Sequence, residues 1–512
     1  MDVKDNKKQA SARQLFVAAC GVICVIVATR IGFLNVPAIW IDEAFSIFYA
    51  QKGLGWIWGS DWRVEPTPPL YYTLLAGWAQ LTGYSEPLLR LFSLLWSALA
   101  GVFLLLLGNE LGGRRAGIAA ALLWAVLPLN IEYGLEIRAY ALELAEIAAL
   151  LWVFARLLRL ANERALSEGS FVRYALALVL VGLVTSYTHI TGVFAFAAVS
   201  ASLLLYLALK GNTRAAILWL AFNVLYALGL IPQILASHAV VTGNAVTLAW
   251  LPPLSVTFAR WVVKSLFLGN APFGTLVNGL ITGLWLSALA MSVFALRRRP
   301  AALLVGCLVP VLGFGFVAAL SLFEPALLPR TVLWITLPLM ALAGTALTQT
   351  FTPGRSALAL ALCVPFMFWI STLNMQIRED WHSDYAGIEK LKSISGGDLL
   401  VAIDGEKACI MQYYGVDPSR LRLLSLGPDA VFHRRQMVDI GCNLPPKLEP
   451  SDIAAHLRAG QSLWLIATPA SDGQRWTDIE TLAETVREAG RHDTRIDLTG
   501  FGALKLAPLS AP

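Results

Sequence analysis

Charged residues, cysteine and histidine are all scarce in this chain of 512 residues. Only 14% of its residues are charged, and it has six cysteines and six histidines. A typical soluble domain is about 25% charged, so the composition excludes an ordinary soluble globular protein. No CxxC pair or cysteine–histidine cluster suggests zinc. The sequence also lacks a phosphate-cradling glycine-rich loop, a Ser-His-Asp set and a cysteine nucleophile, so soluble nucleotides are not expected to supply energy.

Apolar residues are abundant instead, at 57% of the chain with a mean hydropathy of +0.64. Many apolar runs reach about 20 residues, the length of a membrane-spanning helix. The sequence therefore predicts a polytopic α-helical membrane protein with about eleven spans. We place them near 14–34, 88–107, 114–131, 139–158, 173–188, 191–209, 215–235, 275–296, 301–322, 329–349 and 356–374. The apolar stretches Leu70 to Leu81 and Leu254 to Leu268 are short, which is typical of interfacial helices, although either is also open to interpretation as a span.

The charge is divided unevenly along the chain. Residues 376–512 hold 15 basic and 19 acidic residues, which leaves 24 and 15 for residues 1–375. The basic loops of residues 1–375 alternate with less basic loops along the chain and share one side of the predicted spans, and the positive-inside rule assigns that side to the cytoplasm. We therefore predict a transmembrane domain over 1–375, with a long first outer loop at 35–87, and an outer soluble domain over 376–512. The acidic soluble part argues against a nucleic-acid partner.

The predicted outer domain mixes short apolar runs with helical patterns. Leu399–Ile403 and Leu463–Ala467 read as strands, whereas Tyr385–Leu391, Ile453–Leu457 and Ile479–Ala489 read as helices. Their alternation favours a small α/β domain. Cys409 and Cys442 lie in it, and a disulfide between them stays open at this point because sequence alone does not establish a pairing.

Asp42 and Glu43 are the most informative pair of residues. Acids beside a bilayer are costly to desolvate, so they usually mark a functional site. A carboxylate within reach of an acceptor hydroxyl serves as a general base. The alternative is structural, because aspartate is also a good helix N-cap and an apolar helical stretch follows Asp42.

A second candidate cluster is Glu132, Glu136, Arg138 and Tyr140. On a continuous helix, the two glutamates and Tyr140 would share one face, with Arg138 directed to the interface or to a phosphate. Alternatively, the acids and the arginine simply neutralise each other. His189 lies at a junction between two predicted spans, where substrate contact and a structural hydrogen bond are both open.

Several cations also occur on the predicted outer face, where positive charge is normally depleted. They are Arg63, Arg90, Arg138, Arg260, Lys264 and Arg330. Arginine binds phosphate through a planar two-point contact, and lysine supplies a point charge. Together they indicate a bound anionic group, while snorkelling to lipid headgroups would explain any single one.

These residues resemble the motifs of GT-C-fold glycosyltransferases of the protein O-mannosyltransferase-like family, which includes bacterial aminoarabinose and galacturonic acid transferases. The similar pieces occur in family order: Asp42-Glu43-Ala44, Pro68-Pro69-Leu70-Tyr71-Tyr72, Ser85-Glu86 with Arg90-Leu91, Glu136 to Leu142, Tyr187-Thr188-His189 with Gly192, Arg330, Asp380-Trp381 and Tyr413-Tyr414. Each is weak alone, whereas the ordered set is more specific. One departure is Thr67, where relatives often have histidine, and this weakens the case for a required metal.

The resemblance implies an inverting glycosyltransferase of the bacterial inner membrane, acting on the periplasmic side. Its donor would be a polyprenyl-phosphate sugar, and its acceptor a lipid, glycan or protein of the cell envelope. Asp42, with Glu43, would be catalytic. Arg138, Arg330, Lys264 and Arg90 would bind the donor phosphate, and Glu65, Tyr71, Tyr72, Glu136, Tyr140 and His189 would bind substrate. No cofactor is expected, and a divalent metal stays open.

Two other functions fit part of the same pattern. Intramembrane charges also serve a transporter or flippase of lipid-linked sugars, although we find no inverted repeat of the kind common in transporters. A polymerase or ligase of surface glycans would share the outer-face site and differ in the length of its product.

Overall fold

The computed structural model describes most of the chain as helix. It covers residues 3–36, 38–59, 67–162, 167–244, 253–382, 384–402, 405–424, 445–467, 484, 486–498 and 501–508. The first ten helices are α1 (Val3–Ala28), α2 (Ile41–Lys52), α3 (Leu54–Ile57), α4 (Pro69–Thr82), α5 (Glu86–Gly112), α6 (Arg114–Ala125), α7 (Pro128–Glu132), α8 (Tyr140–Asn162), α9 (Glu168–Thr188) and α10 (Gly192–Leu209). The others are α11 (Thr213–Asn244), α12 (Val256–Leu268), α13 (Thr275–Ala295), α14 (Pro300–Leu303), α15 (Val309–Leu320), α16 (Thr336–Thr350), α17 (Pro353–His382), α18 (Asp384–Ser395), α19 (Gly405–Tyr413) and α20 (Pro450–Arg458).

Within the described residues, nine helical segments are long and apolar enough to cross a membrane. They are Ala12–Phe33, Glu86–Gly112, Glu168–Thr188, Gly192–Leu209, Thr213–Ala236, Thr275–Ala295, Pro300–Leu320, Arg330–Thr350 and Pro353–Gln376. The chain is a multi-pass membrane protein, and the predicted polytopic helical class is confirmed.

The two other expected spans, 114–131 and 139–158, have different properties. Helix α6 has 12 residues, which at about 1.5 Å per residue is about 18 Å, so on its own it is shorter than a hydrocarbon core of about 30 Å, and α7 continues the segment to Glu132. Helix α6 ends just before Pro128, whose ring and missing N–H do not fit the interior of a helix. Helix α8 has 23 residues but carries four charged side chains, Glu143, Glu146, Arg156 and Arg159.

The chain divides into two compact units. The first comprises Met1–Leu34, Pro66–Val241 and Thr247–Met375. The second comprises Asn35–Glu65, Thr242–Val246 and Gln376–Pro512. The predicted outer loop thus contributes residues to the same unit as the tail.

In the first unit, α5 packs against α6 and α8, and α16 packs against α6. Gly117 makes the α5–α6 contact close, because a Cβ atom there would lie 2.1 Å from the Leu105 carbonyl oxygen. Helices in lipid associate through such close van der Waals packing rather than through burial from water. The tight α5–α6 pair forms a rigid support for the chain that follows α6.

The second unit contains a six-stranded sheet of order β3-β2-β1-β4-β6-β5. Its strands are β1 (Leu399–Ala402), β2 (Leu421–Leu424), β3 (Lys447–Leu448), β4 (Leu463–Ala467), β5 (Gly490–Leu498) and β6 (Phe501–Pro508). Strands β1 to β4 pair in parallel, with Leu400 opposite Leu421 and Val401 opposite Leu465. Strand β6 pairs antiparallel with β4 and β5. The continuous apolar run of β1 is buried, as is usual for a parallel strand covered on both faces.

The predicted α/β character of the tail is confirmed. The two predicted strands correspond to β1 and β4, and the first two predicted helices lie within α18 and α20. The third predicted helix, 479–489, falls mostly outside the described residues.

Candidate functional site

The residues between α7 and α8 form turns, so the predicted continuous helix through Glu132, Glu136 and Tyr140 is wrong. Helix α7 ends at Glu132, and α8 begins at Tyr140. Residues 133–139 are turns and bends, and the last i to i−4 hydrogen bond of α7 runs from the Tyr133 N–H to the Leu129 carbonyl oxygen at 2.9 Å. The two glutamates and Tyr140 therefore do not lie on one face of a helix.

Two serines of α5 explain this local structure. The Ser97 hydroxyl donates to the Gly134 carbonyl oxygen at 3.0 Å, and the Ser93 hydroxyl donates to the Glu136 carbonyl oxygen at 2.6 Å. Buried carbonyl groups need partners, and here side chains replace the helical backbone donors. Gly134 itself fits tightly, since a Cβ atom would lie 2.5 Å from the Asn130 carbonyl oxygen.

Arg30, two residues after the end of α1, supports the same segment and was not identified by sequence reasoning. Its Nη1 donates to the Ala125 carbonyl oxygen at 3.1 Å, and its Nη2 donates to the Asn130 carbonyl oxygen at 3.0 Å. The side chain is fully buried, and its guanidinium lies 5.8 Å from the centre of the Trp124 ring. The only sequence signal was a cation at the end of an apolar run, which is also typical of snorkelling.

The predicted ligands Arg138 and Tyr72 meet in this unit. Nη1 of Arg138 lies 3.4 Å from the Tyr72 hydroxyl, and Nη2 lies 3.5 Å from Thr67 Oγ1. The Tyr71 and Tyr72 rings pack edge to face, with centroids 5.6 Å apart. Arg138 is 8% exposed, so its charge is held in a largely desolvated environment where an anion would interact strongly.

Tyr133 links Arg330 electrostatically to the two glutamates. Burial raises the pKa of Tyr133 well above its usual range, the charges of Glu132 and Glu136 raise the pKa further, and the charge of Arg330 lowers it. The phenol therefore keeps its proton at neutral pH. Arg330 begins a short 3-10 helix, Arg330–Ile335, that leads into α16.

Glu132 is anchored by α17. Its Oε2 accepts a 2.9 Å hydrogen bond from Nδ2 of Asn374, whose Oδ1 accepts from the backbone N–H of Asn270 at 2.7 Å. Glu132 is 9% exposed and Asn374 is fully buried. A buried carboxylate requires such partners, and this pair fixes the start of the turn segment.

Aromatic contacts extend the cluster to His189. The Tyr133 and Tyr140 rings are 4.9 Å apart, and the Tyr140 and His189 rings are 5.4 Å apart. Nδ1 of His189 lies 2.6 Å from the Thr191 hydroxyl. That hydroxyl donates to Glu143. His189 is therefore part of a polar network, as the structural interpretation expected, and its substrate contact stays a prediction.

Arg90 and Lys264 are arranged differently. Nη1 of Arg90 donates to the Leu34 carbonyl oxygen at 3.0 Å and lies 3.7 Å from Glu86. Arg90 is 1% exposed, and these contacts tie α5 to the end of the first span. Lys264 lies on α12, which packs against α7, and burial lowers the pKa of its amine. Phosphate binding by either residue stays a prediction.

Asp42 and Glu43 belong to the second unit, in the first turn of α2. Trp40 is the N-cap of this helix, so the alternative interpretation of Asp42 as the N-cap is wrong. Glu43 is 1% exposed and accepts a hydrogen bond from the Trp40 backbone N–H at 3.5 Å, the reach-back contact of a capping box. Asp42 is half-buried. Its predicted convergence with Arg138 and Arg330 stays a prediction.

The remainder of the second unit holds α2 in place. Cys409 of α19 is buried against Ile41, Phe45 and Phe48, and the Ile39 N–H donates to the Tyr414 hydroxyl at 2.7 Å. Cys409 is disulfide-bonded, and Cys442 lies outside the described residues. Glu65 and Arg63 also lie outside them, as do the side chains of Asp380 and Trp381. Among the residues that are described, no group of three or more His, Cys, Asp or Glu side chains could hold a metal ion.

No protein-family model and no curated protein sequence matches the chain. Its structure is similar to that of ArnT from Cupriavidus metallidurans bound to undecaprenyl phosphate, with a TM-score of 0.60, 13% identity, and coverage of 98% of this chain and 99% of ArnT. Apo ArnT from the same organism gives a TM-score of 0.61 with the same identity and coverage. The apo oligosaccharyltransferase of Archaeoglobus fulgidus gives 0.48 at 13% identity, covering 98% of this chain and 74% of that protein, and we base no argument on it.

At 13% identity, the likeness to ArnT establishes the fold alone. The chain has the GT-C fold, and the fold-level part of the resemblance is confirmed.

Proposed function

We propose that this protein is a membrane glycosyltransferase that moves a sugar from a polyprenyl-phosphate donor to a hydroxyl group of a cell-envelope acceptor. The observation that carries the proposal is the buried Arg138 of the turn segment 133–139, which lies beside the Tyr72 hydroxyl; the charge of Arg330 acts on Tyr133 of the same segment by lowering its pKa. This arrangement occurs in a chain with the fold of ArnT, a protein solved with undecaprenyl phosphate. Arg138 is buried and Arg330 is half-buried, and a guanidinium binds phosphate through a planar two-point contact.

The proposed reaction is a single displacement at the anomeric carbon of the donor sugar. The acceptor oxygen forms a bond to that carbon as the bond from the carbon to the phosphate oxygen breaks. The acceptor's proton passes to the Asp42 carboxylate, and the bonding pair leaves with polyprenyl phosphate. Attack from the opposite face inverts the anomeric configuration.

The two proposed roles follow from the chemistry of each group. A carboxylate at residue 42 takes the proton as general base. Arg138 and Arg330, with Lys264, stabilise the negative charge that grows on the leaving phosphate. The leaving group needs no proton, because the phosphate is already a good leaving group when its charge is neutralised. Glu43, whose carboxylate caps α2, is expected to support the position of Asp42.

We further propose that the reaction occurs at the inner membrane, on the periplasmic side. Two observations support this location. The basic loops of residues 1–375 fall on one side of the predicted spans, which the positive-inside rule assigns to the cytoplasm. Cys409 is disulfide-bonded, and disulfides persist mainly in oxidising compartments.

The experiment is a transfer assay with purified protein, a polyprenyl-phosphate sugar fraction and envelope lipid as acceptor. Asp42→Asn should lower transfer at least about a hundredfold, since general base catalysis contributes roughly 10²–10⁴-fold. The control is Glu168→Gln, an exposed acid paired with Arg214 at the start of α9, which should keep the wild-type rate. Equal rates for Asp42→Asn and wild type would remove Asp42 as the base. Movement of the donor across vesicles with no product would instead establish a flippase, and long glycan products a polymerase or ligase.

A further inference from the structure

A buried chain of hydrogen bonds runs from Glu143 through Thr191 to His189. The Thr191 hydroxyl donates to Oε1 of Glu143, and Nδ1 of His189 lies 2.6 Å from the same hydroxyl oxygen. Nδ1 also lies 3.4 Å from Oε2 of Glu143. Glu143 and Thr191 are each 3% exposed. The three residues come from α8 and from the junction between α9 and α10, so tertiary structure brings them together.

The number of protons shared among Glu143, Thr191 and His189 fixes the tautomer of the histidine ring. The Thr191 hydroxyl donates to Oε1 of Glu143, and a threonine hydroxyl has a single proton to donate. Because that proton goes to Glu143, the Thr191 oxygen accepts from His189, and Nδ1 carries a hydrogen atom. The Thr191 backbone N–H lies farther from Nδ1, at 3.4 Å, and this longer contact does not outweigh the shorter one. In the neutral ring, the lone pair is then on Nε2.

Nε2 is the remaining functional atom of this ring. Among the residues that the structure describes, none hydrogen-bonds to it. The ring packs 5.4 Å from Tyr140, which packs 4.9 Å from Tyr133. Tyr133 is also near enough to Arg330 for that charge to lower its pKa. His189 therefore adjoins, through Tyr140 and Tyr133, the segment to which we assign the donor phosphate, and its neutral ring has a hydrogen-bond acceptor at Nε2.

We propose that Nε2 of His189 accepts a hydrogen bond from a sugar hydroxyl of a substrate, and that Glu143 is a positioning residue which sets this tautomer through Thr191. The inference rests on the proposed function for the identity of the ligand. A hydroxyl is the appropriate class because a lone pair requires a donor, and both the lipid-linked sugar and a glycan-bearing acceptor carry such groups. Orientation of a histidine by a carboxylate is a general device for holding one ring nitrogen in a defined state.

The protein contains a matched control in Thr188, the residue next to His189. Thr188 donates a 2.9 Å hydrogen bond to Oε1 of Glu146, again a threonine of the α9–α10 junction and a glutamate of α8. Thr188→Val removes a hydroxyl–carboxylate bond of the same kind without touching the His189 ring. Thr191→Val removes the bond that fixes the tautomer, and Thr191→Ser retains the hydroxyl.

The first measurement does not depend on sugar transfer. The full chain, labelled with ¹⁵N at its six histidines, is studied in lipid bilayers by magic-angle-spinning NMR, and His189 is assigned by its loss in His189→Gln. We expect the neutral ring to show an Nδ1–H resonance with an unprotonated Nε2. Thr191→Val should mix the tautomers, whereas Thr191→Ser and Thr188→Val should not. An Nε2–H tautomer in the wild type would overturn the proposal.

The second measurement identifies the source of the hydroxyl. Loss of one hydrogen bond of net value about 0.5–1.5 kcal/mol should lower kcat/KM by about two- to tenfold in Thr191→Val, with Thr191→Ser and Thr188→Val within twofold of wild type. A rise confined to the KM of the donor assigns the hydroxyl to the lipid-linked sugar, and a rise confined to the KM of the acceptor assigns it to the acceptor. Equal kinetics for Thr191→Val and Thr188→Val would refute substrate contact. A wild type that transfers no sugar would refute the proposed function and leave the NMR result intact.

Discussion

Arg30 Nη2 donates a 3.0 Å hydrogen bond to the carbonyl oxygen of Asn130, a residue 100 positions further along the chain. Together with the Nη1 bond to Ala125, this contact joins the residues that follow α1 to the last residue of α6 and to α7. A fully buried guanidinium that binds backbone carbonyls acts as a clamp, since its planar fork has donors for several acceptors at once. The clamp fixes the chain directly before the candidate site.

Arg30→Lys tests this clamp. Lysine keeps the charge but has a single nitrogen, so it cannot reproduce the two diverging donors, and at least one buried carbonyl loses its partner. A lost buried partner costs about 1–3 kcal/mol, and we expect a lower thermal midpoint in detergent together with reduced transfer. Arg173→Lys should match the wild type, because the native side chain is exposed and, among the described residues, hydrogen-bonds within its own helix turn. Equal thermal midpoints for Arg30→Lys and Arg173→Lys would refute the clamp.

Gly134→Ala tests the tight fit of the turn segment. A Cβ atom would meet the Asn130 carbonyl oxygen at 2.5 Å and Ser97 Oγ at 2.6 Å, and overpacking of this kind costs about 1–3 kcal/mol. We expect a lower thermal midpoint and a loss of activity, because residues 133–139 must move away from α5.

The control for this variant is Gly279→Ala in α13, where nothing lies within 4 Å of the added atom. Alanine is the better helix former by about 0.5–1 kcal/mol, so this variant should be as stable as the wild type or slightly more so. A Gly134→Ala protein as stable as Gly279→Ala would contradict the packing that we describe for the turn.

Sequence reasoning predicted the class of the fold more reliably than the structure of the site. Apolar length and charge pattern identify spans because the bilayer imposes a fixed thickness, and continuous apolar runs marked β1 and β4. The same reasoning extended a helix through Glu136, because periodicity alone does not reveal that Ser93 and Ser97 of another helix replace the helical hydrogen bonds. Arg30 and the Glu143–Thr191–His189 chain depend on contacts between distant segments, which a single sequence does not encode in any local pattern.

Asn374→Asp tests the anchor of Glu132. The substitution replaces the Nδ2 donor, 2.9 Å from Glu132 Oε2, with a carboxylate oxygen, and two carboxylates at this separation do not both ionise without cost. We expect destabilisation of at least about 1–3 kcal/mol at neutral pH, with partial recovery under acidic conditions as the pair binds a proton. The measurement is the thermal midpoint between pH 5 and pH 8.

Asn278→Asp is the matched control for that pair. Asn278 also donates through Nδ2, at 2.7 Å, but to the backbone carbonyl of Phe273 and not to a carboxylate. Its aspartate variant should lose stability without the same recovery at low pH. A thermal midpoint of Asn374→Asp that does not change with pH would contradict the contact between residue 374 and Glu132.

Lys264 predicts a pH dependence of donor use. Burial lowers the pKa of its amine from the ordinary value of 10.5. As pH rises, the amine of the free protein therefore becomes neutral before pH 10.5 is reached. If the amine contacts the donor phosphate, kcat/KM for the donor falls as pH rises through the lowered pKa, because kcat/KM reports ionisations of the free enzyme. Lys264→Arg should remove that alkaline limb, since arginine stays protonated.

The sign of the stability effect is opposite to that of donor binding. Between the lowered pKa in the folded state and 10.5, the unfolded chain binds more protons at this residue than the folded chain does. The free energy of unfolding therefore rises with pH across this window. If the thermal midpoint of the wild type rises relative to that of Lys264→Met over the same window, the lowered pKa of the buried amine is confirmed. An unchanged donor kcat/KM over that window would exclude the phosphate contact.

The disulfide of Cys409 offers a final prediction about the helix that carries Asp42. Cys409 is buried against Ile41, Phe45 and Phe48 of the α2 region, and α19 also contacts α2 through the ring of Tyr413, 6.5 Å from that of Phe48. We predict that Cys442 is the partner, and peptide mapping under non-reducing conditions should recover a linked Cys409–Cys442 pair.

Loss of a native disulfide typically costs about 2–5 kcal/mol in a small domain, so Cys442→Ser should lower the melting temperature of the second unit and loosen the support of α2. Transfer should fall with it, and reductant should reproduce the effect in the wild type but not in Cys442→Ser. Free thiols at both positions in protein isolated from cells without reductant would contradict the pairing and remove one of the two arguments for a periplasmic tail.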